Sequence, residues 1–215
     1  MIDRSLKKNL VHEDRWSRVY NPEPNFYASE SKFEADGISV SIEELTSAWD
    51  SWNDSERLSF VNAYRVKTQF SKPDEQILEF LMAKGNELVW STIAGTLSLH
   101  HSNKRVVLDF LLQRLRSSSE PKSNFIQALY LLGDLTALRD LQELYGRLSG
   151  EVNRSGGQPD VWIICDFLKC CEALAYLEKT ERYRDDIQAF LEHPDETIRN
   201  QAQMALAGPQ PEEFE

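Results

Sequence analysis

Leu191-Glu192-His193-Pro194-Asp195-Glu196-Thr197-Ile198-Arg199-Asn200-Gln201-Ala202-Gln203-Met204-Ala205-Leu206 is the stretch that decides the fold class. It closes one helix on an apolar residue, turns at His193-Pro194 and opens another. Proline suits a helix start, where its missing N–H leaves no bond unmade, and Asp195 and Glu196 complement the positive end of the helix dipole. Ile198, Ala202 and Leu206 recur every four residues, so the second helix has one apolar face.

Upstream, the same alternation of helix, short turn and helix repeats. Ser41-Ile42-Glu43-Glu44 is a capping box, in which Ser41 accepts from the Glu44 amide and Glu44 reaches back. Ile42, Leu45, Ala48, Trp49 and Trp52 form the inner face of the helix that follows, and Leu58, Val61, Tyr64 or Ala63, Val66 and Phe70 that of its partner. Later pairs are expected at 73–85 with 86–100, 103–116 with 123–133, 135–148 with 160–178, and 181–192 with 195–207. The inward residues include Val89, Ile93, Ala94, Leu97, Val106, Val107, Leu111, Leu138, Leu141 and Leu144. Residues 117–121 and 149–159 are polar and contain Pro or Gly, so both are expected as loops, the second being the longest insertion. Residues 21–40 hold two prolines and a glycine and should be irregular, with a brief strand at Ile38 and Val40.

Through Ile198, Ala202 and Leu206, through Val89, Ile93 and Leu97, and through His193-Pro194-Asp195 with Arg199, the chain resembles the HEAT repeat family. The resemblance covers about 71–208, with 41–70 as a capping pair. It implies an all-α, α-α superhelix of about five antiparallel helix pairs with an irregular N-terminal arm. The domains read as an arm over 1–40, a repeat domain over 41–208 and a disordered acidic tail over 209–215. Within such a family Arg199 pairs with an acid from the turn, here Asp195, as a structural residue. The family's second helices line a concave binding face. Outward positions there include Glu87, Ser91, Gln127, Asp166, Lys169 and Gln203, and Trp16 in the arm is a candidate anchor.

No residue pattern points to catalysis. His100 and His101 adjoin at a helix end and diverge by about 100°, which suits capping better than chelation. Cys165, Cys170 and Cys171 lack zinc or thiol-redox spacing and read as core residues. Some HEAT-like enzymes bind iron through repeated His-Glu pairs, but the only such pair here is His12-Glu13, outside the repeats. No catalytic residue, cofactor or metal is expected.

Charge sorts the partners. Thirty-five acidic residues against 24 basic give a formal net charge of -11. That argues against a nucleic-acid partner, since phosphate binding needs Lys and Arg to displace counterions. It is also the reason a HEAT-like DNA glycosylase is not expected. Residues 102–133 carry five bases against two acids, and residues 181–215 three against nine. No uncharged run approaches the roughly 20 residues a bilayer requires, and no signal peptide is evident, so a soluble, cytoplasmic protein is expected. The leading expectation is a non-catalytic module that binds a protein with a basic surface, as an adaptor or an immunity-type inhibitor. The alternatives are a bilin lyase-like or other small-molecule role and a structural subunit of a larger complex.

Overall fold

The computed structural model describes residues 40–65, 67, 70–118, 121–154 and 159–208. Among them are ten α-helices and no strand: α1 (Ile42–Trp49), α2 (Asp54–Arg65), α3 (Lys72–Lys84), α4 (Glu87–His100), α5 (Lys104–Ser117), α6 (Ser123–Leu132), α7 (Leu138–Arg154), α8 (Val161–Glu178), α9 (Arg184–Gln188) and α10 (Glu196–Ala207). The all-α class therefore holds. None of the described helices is long and apolar enough to cross a membrane. Trp16, most of the expected arm, the tail from Pro209 and the strand position Ile38 lie outside the described residues; Val40 belongs to no element. The chain divides into two compact units, residues 1–102 and 103–215.

In the first unit, α2 and α3 pack on α4, and α1 packs on α3. The capping box at α1 forms as expected, with Ser41 N–H donating to Glu44 at 2.9 Å and Glu44 N–H to Ser41 Oγ at 3.2 Å. Asn53 and Glu56 make the same reciprocal pair before α2, at 3.1 and 3.0 Å. The core is built on Leu45, Trp49, Phe60, Val61, Tyr64, Leu78, Leu81, Ile93 and Leu97. Gly85 marks a close approach. The Trp90 indole N–H donates to the carbonyls of Leu81 and Met82, both at 3.1 Å, and so caps the end of α3. A Cβ on Gly85 would stand 2.6 Å from Leu81 O and 2.8 Å from Trp90 Nε1, closer than any side chain tolerates.

In the second unit α8 is the hub, packing on α6, α7, α9 and α10, while α5 packs on α6 and α9 on α10. Every residue from Ile164 to Leu174 is buried. A helix covered on all sides has no solvent stripe to fill. α7 has the contrasting pattern, with Leu141, Leu144 and Leu148 buried and polar residues outward. α6 ends on Gly133 at φ 68°, a left-handed position that glycine adopts without steric cost.

Several expected boundaries move. α2 stops at Arg65 instead of reaching Phe70. α7 runs six residues into the expected 149–159 loop, because its polar residues bond along the helix: Arg154 donates to Gly150 O at 3.0 Å. The helix expected over 181–192 shrinks to α9. Beyond it the bonds tighten to three-residue steps, Phe190 to Ile187 and Leu191 to Gln188, ahead of Pro194, which disfavours helix at the residue before it. Val106 was expected inward but is 44% exposed on the outer side of α5.

Candidate functional site

The residues nominated from sequence separate into two groups. Glu87 opens α4 and is half-buried, as is Ser91 one turn on; Gln127 on α6 is half-buried and Gln203 on α10 is exposed. These remain at or near the surface. Asp166 and Lys169 do not face outward. They are 6% and 3% exposed, because α8 lies inside the second unit rather than along its edge.

Each buried charge on α8 has an internal task. The Asp166 carboxylate accepts the Lys122 amide at 3.0 and 2.8 Å and the Ser123 hydroxyl at 2.6 Å. It is an N-cap supplied by another helix: the start of α6 has free amides and a positive dipole end, and a carboxylate satisfies both. Burial pushes the Asp166 carboxyl up, opposed by the bonds from Ser123 and Lys122. Lys169 Nζ donates to Glu172 at 2.7 Å, and both side chains are 3% exposed. The second oxygen of Glu172 is buried without a hydrogen-bond partner.

The first unit holds a comparable node around Asp74. Asp74, 4% exposed, accepts from Tyr64 Oη at 2.8 Å, Lys67 Nζ at 2.5 Å, and the Ser71 amide and hydroxyl at 2.7 and 2.5 Å. Burial raises its pKa, but the donors from Lys67, Ser71 and Tyr64 outweigh it and hold the carboxyl at about 2. Burial and the Asp74 bond push the Tyr64 phenol up. A carboxylate this fully bonded is a fixed anion, not a proton acceptor near neutrality. The spacing Ser71-x-x-Asp74 was the available signal, since it repeats the box read at Ser41-x-x-Glu44.

The histidines diverge. The His100 ring stacks on Phe70 with centroids 4.1 Å apart. His101 ends α4, is 2% exposed and sits 3.5 Å from Glu75 and 3.9 Å from Glu79. Among the described residues no group of three or more His, Cys, Asp or Glu is placed to hold a metal ion. The three cysteines are buried. Burial pushes Cys165 up to about 12 and raises Cys170 and Cys171 as well, which keeps them as protonated thiols. Cys170 Sγ donates to Leu141 O at 3.3 Å, joining α8 to α7.

In the segment that carries the family resemblance, the geometry differs from the expected pair. Arg199 donates to the carbonyls of His193 and Pro194 at 2.6 and 2.8 Å. Asp195 instead caps α10, accepting from Thr197 and Ile198 at 2.8 and 3.3 Å. Arg199 thus bonds to the main chain of the turn and not to the expected acid. The chain matches no protein-family model, no curated protein and no solved structure.

Proposed function

We propose that this protein is a HEAT-like helical-repeat module that binds another protein without catalysing a reaction, and that the partner presents a basic surface. The observation that carries the repeat reading is packing between alternate helices: α2 lies on α4 in the first unit, and α6 on α8 and α8 on α10 in the second. In a repeat array each helix pair covers its neighbour, which gives this alternate-helix packing. The charge of -11 supports the partner class. Glu87 and Ser91 in the first unit, and Gln127 and Gln203 in the second, are the candidate contacts. Asp166 and Lys169 are not among them, because they are buried and internal bonds occupy them. Trp16 is nominated by sequence alone.

A pull-down from the native host at low and moderate salt tests the reading. One stoichiometric basic protein, released as salt rises, is the expected result, because exposed charges separated by more than about 10 Å are screened near 0.1 M salt. A coloured or ligand-bearing preparation with no protein partner would overturn it. A second reading, a subunit of a larger assembly, is favoured by exposed apolar side chains: Leu88, Leu99, Val106, Leu135 and Tyr176. It predicts that the isolated chain self-associates in a salt-insensitive manner, which light scattering would detect.

A further inference from the structure

We draw no further inference here: the strongest candidate, the partly exposed face of α4 running from Leu88 to Leu99, carries nothing because nothing in the structure shows what covers it.

Discussion

Single residues in this protein illustrate two ways of keeping a charge inside. Asp74 is saturated with donors, and its pKa falls to about 2. A carboxyl depressed in the folded state stabilises the fold above its ordinary range near 3.8, and that contribution disappears as pH falls toward 2. Asp74→Asn should therefore flatten the acid limb of the stability curve, which urea unfolding between pH 2 and 5 would show; an unchanged limb would refute the assignment. The Lys169–Glu172 pair is different, since one Glu172 oxygen has no partner. Removing one member of a buried pair typically costs about 3–5 kcal/mol, whereas replacing both with apolar residues is often neutral or stabilising. Lys169→Met should thus be strongly destabilised, and Lys169→Met with Glu172→Leu should recover most of the loss in the same denaturation assay. A double variant as unstable as the single would mean that the pair contributes net stability.

At the scale of elements, helix ends decide more than helix interiors. At Gly85, the C-cap of α3, a side chain would meet Leu81 O, the Trp90 indole and Val89, all within 2.8 Å. Gly85→Ala forces these close contacts apart, at a cost of about 1–3 kcal/mol by analogy with overpacked cores. The check is a thermal melt beside Gly146→Ala, where the added carbon meets no described atom within 4 Å beyond its chain neighbours and the backbone of its own helix, and the substitution removes a mid-helix glycine. The two should shift the midpoint in opposite directions. Element ends also show what local spacing encodes. The box at Ser41, read from spacing alone, and the caps at Asn86, Asn103 and Asp160 all use residues that lie beside the helices they cap. The cap on α6 comes from Asp166, 44 residues beyond Lys122, and no local pattern encodes it.

For the whole molecule, the excess of acidic residues is the property that bears most directly on a partner. Rim charges act mainly on association rate and its salt dependence, and buried anchors act on dissociation. If the proposed basic partner binds this face, Glu87→Lys slows its association several-fold at low salt, with a smaller effect at high salt. Surface plasmon resonance across a salt series would measure this. Equal rates for both forms would remove α4 from the interface.

Local sequence determined the helical class, the order of the helices and most of their starting caps, because periodicity and capping act over three or four residues. Composition determined the acidic balance. It also argued against phosphate-binding partners. Only the tertiary structure decided which polar residues are exposed. On α8 the spacing marks Asp166 and Lys169 as one stripe, but spacing says only that residues share a face, not whether a neighbour covers it. α6, α7, α9 and α10 enclose that helix, so its charged residues become a cap and an internal ion pair. The buried thiols follow from the same enclosure.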